Sequence, residues 1–367
     1  MRLDSLTLRD FRNYENFSAQ FDPGVNLILG ENAQGKTNLL EGIHYLSTGH
    51  GFRTRKEAEL IRFGADFAEL EGTVTGESRT QTIRALMFSG RKSRQLYLNG
   101  VKRKTQGELS GVLTTVLFCP EDLLMLKSGA SSRRHFLDAG LCALRPRYEA
   151  ALQEYNRILD QKSRILRDRF ENPSLMEILP EYNMRLCQVG AILISYRARF
   201  LQGLGQAATS FHREFSGGRE TLEIPYRTVS NIDDPFAPVQ ELEQKLREHM
   251  EAHRLGELES AQCLTGPHKD DFDAALDGLS IRSYGSQGQT RTAAISLKLA
   301  QRELARRDTG EEPVLLLDDV LSELDGGRQD FVLNQIQTGQ VFITCCEPGR
   351  LTKIGKTIEI HGGAMKI

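Results

Sequence analysis

Three short stretches carry residue types whose spacing suits phosphate chemistry. The first is Gly30-Glu31-Asn32-Ala33-Gln34-Gly35-Lys36-Thr37, followed by Asn38. It meets the pattern G-x-x-x-x-G-K-[ST], in which the glycines let successive backbone N–H groups point at phosphate oxygens. Lys36 supplies a positive charge to the β- and γ-phosphates, and the Thr37 hydroxyl is a ligand for Mg²⁺. A glycine turn without function is the plain alternative. The apolar run Val25–Leu29 before it and the helical spacing of Leu39, Leu40, Ile43 and Leu46 after it give the strand–loop–helix context that the motif requires.

The second stretch, VLLLDDVLSELD at 314–325, ends an apolar strand in paired carboxylates. A buried strand of this kind delivers acid groups to the carboxyl edge of a sheet, where ligands bind. Asp318 is expected to hold Mg²⁺ and Asp319 to orient or deprotonate an attacking water. The third, YGSQGQTR at 284–291, opens a helix with Ser286, Gly288 and Gln289. Read alone it is a helix cap; about 30 residues ahead of an acid-ended strand, it makes a second anion site at a helix N-terminus.

These residues need a frame. Alternation in RLDSLTL and burial in GVNLILG predict strands. FAELEGTV, QTIRALMF and QLYLNGVKRK predict a β layer from about 66 to 118, with Asn99-Gly100 in a tight hairpin turn. Helix formers dominate from FCPEDL to about 260, with breaks at Pro146, Pro173 and Pro180. Strand–helix alternation then returns, with a helix at 288–308, PVLLLDD, a helix at 326–337 and QVFITC. The fold class is α/β. Residues 1–123 and 261–367 form a head, and 124–260 form a mainly helical domain inserted in it.

The 367 residues leave room for two domains, and 39% hydrophobic with 26% charged residues is ordinary for a globular chain. A net charge of −2 excludes a global field for polyanions, so a nucleic-acid surface must be local. Basic clusters lie at 53–56, 91–94 and 102–104, and the plain reading of each is a solvated face. The charged N-terminus has no signal core, and no run reaches the ~18 apolar residues of a membrane helix. The six cysteines show neither CxxC nor His/Cys metal spacing, and read as reduced thiols of a cytoplasmic protein.

The order of loop, SxGQ helix and acid-ended strand followed by SELD resembles the ATP-binding-cassette superfamily, in which the signature serine completes the nucleotide site of the opposite subunit. Within it, LTLRDFRNYENF, GENAQGKTNLLEGIHYLSTGHGFRT, PEDLLMLKSGASSRRHFLD, GPHKDDF and LLLDDVLSELD together resemble the RecF family of bacterial recombination-repair proteins, in order and over nearly the whole chain. The resemblance implies a cassette head with a helical lid, binding ATP and Mg²⁺. It also implies an ATP-induced homodimer that clamps double-stranded and gapped DNA, works with RecR, and promotes RecA loading, with weak, DNA-stimulated ATP hydrolysis as a release switch. Arg53 and Lys56 are then expected to meet DNA phosphates.

Arg12 in DFRNYE corresponds to an arginine that reaches nucleotide in related heads; the alternative is a surface Arg between core Phe11 and Tyr14. Arg133 and Arg134 begin a helix, where cations oppose the macrodipole, which points either to an anionic partner or to plain surface charge. His268 reads as turn structure. Several positions depart from the family pattern. Asp319 stands where most cassettes have Glu, and its shorter reach implies slow hydrolysis. FCPEDL offers Glu121 and Asp122 in place of a glutamine, and Thr344, Cys345 and Cys346 stand where a switch histidine is expected. Ser128 and Ala130 replace Gly and Pro, and Lys269 replaces a commoner Arg. A transporter motor subunit lacks the helical insert, a chromosome-structure protein needs a sustained heptad coiled coil, and a nuclease of the OLD type carries an added acidic metal domain.

Overall fold

A computed structural model describes residues 1–54, 56–90, 92–228, 232–346 and 354–366; Arg55 and Arg91 of the basic clusters lie outside them. The chain forms two compact units, Met1–Leu123 with Ala294–Ile367, and Leu124–Ala293. Through the first unit run β1 (Arg2–Phe11), β2 (Tyr14–Gln20), β3 (Val25–Leu29), α1 (Lys36–Thr48), β4 (Phe67–Thr75), β5 (Thr80–Phe88), β6 (Gln95–Leu98), β7 (Val101–Arg103) and β8 (Thr115–Phe118). The short α2 (Pro120–Leu124) leads out of it.

The second unit holds α3 (Ala130–Leu144), α4 (Pro146–Asp168), α5 (Leu175–Ser216), β9 (Leu222–Glu223), β10 (Tyr226–Arg227), α6 (Val239–Ala252) and α7 (Arg254–Ser260). It continues with β11 (Asp271–Phe272), β12 (Ala275–Leu276), β13 (Leu279–Ser280) and α8 (Ile281–Tyr284). The long α9 (Gln287–Thr309) carries the chain back to the first unit, which closes with β14 (Val314–Leu317), α10 (Gly326–Gln335), β15 (Val341–Cys345), β16 (Lys356–His361) and β17 (Ala364–Met365).

Among the described residues, the first unit pairs two six-stranded sheets. One is antiparallel, in the order β2-β1-β4-β5-β6-β7; the other runs β17-β16-β3-β15-β14-β8, parallel from β16 to β8. Period-two alternation explains the first, since Ala68, Leu70 and Val74 of β4 point into the core while their neighbours face outward. All four residues of β14 are buried, as a parallel strand covered on both faces requires. Leu39, Leu40, Ile43 and Leu46 of α1 enter one core with Leu3, Leu6 and Leu8 of β1 and Phe342 of β15. Asn99 and Gly100 adopt φ 51° and 77°, the turn that the sequence predicts.

In the second unit α5 spans 42 residues and packs against α4 and α6. Pro180 lies inside α5, not at a break; near the helix start its missing N–H forfeits a single bond of the ladder. Residues 261–293, which the sequence assigns to the head, pack in this unit. The physical reason is strand pairing, β11 with β10 and β12 with β9, together with a bidentate ion pair from Arg133 to Asp271. Arg133 is buried and also donates to the carbonyls of Leu126 and Ser128, so its anionic partner is this carboxylate. Arg134 donates to the Asp270 carbonyl at 2.9 Å.

His268 is turn structure with a partner on each ring nitrogen: Nδ1 lies 2.7 Å from the Tyr155 hydroxyl and Nε2 3.1 Å from the Cys263 carbonyl. Burial lowers its pKa from 6.5 to about 4. Between those values the unfolded chain binds the extra proton, so stability falls as pH drops through that window, by roughly 3 kcal/mol when complete. Urea unfolding at pH 7 and pH 4.5 tests this: His268→Gln should show a smaller acid loss than the parent, and an equal loss removes His268 as the cause.

Candidate nucleotide site

Sheet register places the site. Leu29 at the end of β3 pairs with Cys345 of β15, and Leu317 at the end of β14 pairs with Ile343. Gly30, Thr344 and Asp318 therefore emerge together at one carboxyl edge. The loop 30–35 closes tightly there. A Cβ on Gly30 would stand 2.4 Å from the Ile360 carbonyl oxygen, and one on Gly35, at φ 119°, 2.8 Å from the Asn13 side chain, so only glycine fits. Lys36 is buried and donates to the carbonyls of Gly30 (2.7 Å) and Glu31 (3.0 Å), spanning the loop. The C-terminal hairpin supports the loop from outside: Gly362 N–H donates to Gln34 Oε1 and Gly363 N–H to the Gln34 carbonyl. Asn13 ties the same carbonyl to Asn38.

Asp318 is buried, and its Oδ1 accepts from the hydroxyls of Thr37 and Thr344, each at 2.9 Å. Burial raises its pKa above the ordinary carboxylate value, while the two hydroxyls pull it back. Thr37 Oγ1 and Asp318 are hard oxygen donors, the kind Mg²⁺ takes one or two of while keeping its waters. Asp319 sits at φ 51°, a left-handed conformation costly for a non-glycine residue. Its N–H donates to Thr344 Oγ1 at 2.8 Å and its carbonyl accepts from Ser322. Thr344 thus holds both acids, one through each face of its hydroxyl.

Arg12 is neither free at the surface nor reaching across the loop. Its Nε bonds Glu41 Oε2 at 2.7 Å and its Nη1 the Glu59 carbonyl. Glu41 is wholly buried, and its other oxygen accepts the Arg53 N–H. The Arg53 guanidinium lies 3.4 Å from the Asn38 side chain, at the start of the loop helix, whereas Lys56 is exposed beside Glu59. Glu41 and Thr344 are supporting positions whose contacts motif reasoning does not foresee. A carboxylate between Leu40 and Ile43 on the buried face of α1 is the one signal for the former; the latter is marked only as standing where a switch histidine is expected.

The positions that depart from the cassette pattern are occupied structurally. Asp122 caps α2 through the Cys119 N–H and pairs with Lys298 at 2.9 Å, while Glu121 is exposed. The Cys346 thiol lies 3.3 Å from Lys36 Nζ and donates to Asn32 at 3.0 Å, bridging the loop where a histidine is expected. In the second unit, Ser286 is exposed at the N-terminus of α9 and forms a reciprocal capping box with Gln289: Ser286 N–H to Gln289 Oε1 at 2.9 Å, and Gln289 N–H to Ser286 Oγ at 3.1 Å. The cap that the plain reading requires is present, and Gly288 follows it half-buried in the first turn. Among the described residues no three or more His, Cys, Asp and Glu are gathered for a metal, and no helix is long and apolar enough to cross a membrane.

The sequence pattern of the RecF/RecN/SMC N-terminal domain matches residues 2–365. Proteins named DNA replication and repair protein RecF align along almost their whole length. The one from Acetivibrio thermocellus is 36% identical over 348 residues, covering 95% of this chain and 94% of its own; that from Agathobacter rectalis is 40% identical over 346 residues, covering 94% and 92%. The chain belongs to the RecF family. Solved structures of the recombination mediator RecF in the RecFOR pathway superpose with it at 34% identity. The RecF–ATPrS form does so with a TM-score of 0.93 over 100% of this chain and 97% of its own, and the RecF–ATP form with 0.90 over 99% and 96%. An Smc head domain from Pyrococcus furiosus, 16% identical with a TM-score of 0.55 over 99% and 95%, shares the fold. The α/β cassette head of the RecF family is therefore the fold of this chain.

The hydroxyl shared by the two acids sets a test. Thr344→Val keeps the shape but removes the donor to Asp318 and the acceptor for Asp319 N–H. Loss of a supporting partner of this kind weakens metal-dependent steps about 10–100-fold. Nucleotide binding titrated with Mg²⁺ should need correspondingly more metal in the variant, while binding in excess EDTA stays unchanged; an unchanged Mg²⁺ requirement would remove Thr344 from the site.

Proposed function

We propose that this chain is an ATP-gated DNA-binding protein of recombinational repair. ATP joins two copies into a dimer that clamps double-stranded or gapped DNA, and slow hydrolysis opens it. The observation that carries the reading is the exposed, capped Ser286 at the start of a 23-residue helix, in a chain with a complete phosphate loop. Its Oγ accepts one N–H within the cap, which leaves the hydroxyl proton to donate to an anion, at the end of the helix where the dipole favours negative charge. A γ-phosphate held by a second copy is the anion of that charge and size. RecF structures with ATP, at 34% identity, support the choice of nucleotide, and their RecFOR pathway supports RecR and RecA loading as the setting.

Lys36 would leave the loop carbonyls for the β- and γ-phosphates, while Thr37 and Asp318 would hold Mg²⁺. When bound there, the metal would supply positive charge to offset the negative charge of the phosphates. Asp319 orients the attacking water from its strained backbone position, and the shorter side chain keeps turnover below the ~10 s⁻¹ typical of enzymes. For gating, ATP must bind the dimer more tightly than the monomer, since a ligand with equal affinity for both shifts nothing. Arg53, beside Asn38, and Lys56 are assigned to DNA phosphates.

Fluorescence anisotropy of a labelled gapped duplex, titrated with protein in ATP and in ADP, tests the gate. Binding should be tight with ATP alone and weaken steeply with salt, as phosphate contacts do. Equal binding in both nucleotides sinks it. Ser286→Arg should bind ATP as the parent does yet stay monomeric in light scattering; an ATP-induced dimer in that variant overturns the assignment of Ser286.

A further inference from the structure

Behind the capping box stands a pair of side chains that neither the phosphate loop nor the cap motif accounts for. The Gln289 amide works in two directions: its oxygen accepts the Ser286 N–H, and its Nε2 donates to Glu220 Oε1 at 2.8 Å. The other oxygen of Glu220 lies 3.0 Å from His212 Nε2. His212, near the end of α5, is fully buried, and its Nδ1 has no hydrogen-bond partner. That leaves Nε2 as the ring nitrogen engaged with Glu220. The four residues form one line within the second unit: His212, Glu220, Gln289, Ser286.

The line has a direction. An amide can face either way, and only one face serves the cap. Flipping Gln289 would set its oxygen against the Glu220 carboxylate and its NH₂ against the Ser286 N–H, two repulsive contacts in place of two bonds. Glu220 stays a carboxylate because Gln289 first, and His212 beside it, hold its pKa below the ordinary value.

We infer that Glu220, backed by His212, is the positioning residue that fixes the Gln289 amide and so presents the Ser286 hydroxyl to the partner's nucleotide. This rests on the dimer reading above and deepens it: the signature end of α9 is held from the segment after α5, not by its own sequence alone. Glu220 bonds Gln289 and His212 within the second unit. It acts through Gln289, far along the chain from the phosphate loop, so it should govern dimerisation without altering the monomer's affinity for ATP.

The test compares the parent with Glu220→Ala, Glu220→Gln and Ser286→Arg in full-length protein, with ATP and Mg²⁺. Losing a charge-assisted bond corresponds to about ten-fold. Glu220→Ala should therefore need about ten-fold more protein for half-maximal dimerisation, with monomer ATP affinity unchanged. Glu220→Gln, which keeps an acceptor for Gln289, should restore most of it. Gln289→Ala combined with Glu220→Ala should cost no more than either alone. Amide hydrogen exchange reads the positioning itself: Ser286 N–H should exchange about ten-fold faster in Glu220→Ala monomer. If Glu220→Ala dimerises like the parent while Ser286→Arg does not, or if Ser286 exchange is unmoved, the inference is overturned and the dimer reading stands. If the parent fails to dimerise, the dimer reading falls, and Ser286 exchange alone decides whether Glu220 positions the cap.

Discussion

A carboxylate taken out of water must be met by donors, and Asp318 is met by two threonine hydroxyls converging on one oxygen. That arrangement ties three parts of the first unit together: the loop helix through Thr37, strand β14 through Asp318 itself, and strand β15 through Thr344. None of the three can shift without orphaning a buried charge. The phosphate loop, the Asp318 carboxylate and the backbone of Asp319 are consequently held in one register. The left-handed Asp319 is tolerable only inside such a frame, since its N–H ends on the same threonine.

In each unit, charges that look available for ligands are instead spent on shape. Glu41 gathers Arg12 and the backbone at Arg53 beneath the loop helix. Asp122 and Lys298 lock the exit of β8, and Arg133 clasps Asp271. Cys346 braces Asn32 and Lys36 where the cassette resemblance led to the expectation of a histidine. The departures from the cassette pattern thus have local structural occupants, and the proposed chemistry rests on fewer groups, chiefly Lys36, Thr37, Asp318 and Asp319.

The sequence made the frame legible wherever a single period or a single turn dictates the answer. The alternation of β4 and β5, the apolar run of β14, the Asn99-Gly100 turn and the glycine loop are all local facts, and all appear as read. What it hid depends on partners distant in sequence. Residues 261–293 pack with the second unit because Asp271 pairs with Arg227, 44 positions earlier (271 − 227), and Ala275 with Glu223, 52 earlier (275 − 223), a pairing no local pattern announces. Pro180 reads as a stop, but a helix of 42 residues carries enough packing to absorb one missing bond. Thr344 reads only as a missing histidine, because a threonine in a β-strand is ordinary; its contact comes from lying level with Asp318 across the register. Arg12 could be placed only once the buried Glu41 was seen beneath it.

The interleaved parallel sheet also orders events during synthesis. Strand β3, which carries the phosphate loop, is bounded on one side by β15 and on the other by β16, so it has no neighbour in its sheet until the last segment of the chain leaves the ribosome. Leu29 pairs with Cys345, 316 positions later (345 − 29), which is roughly 16–60 s of translation at about 5–20 residues per second. For that interval the five apolar-flanked residues of β3 are an exposed edge. The inserted second unit, whose residues are complete well before, has time to fold first, so the nucleotide loop is assembled last, on a chain already half built.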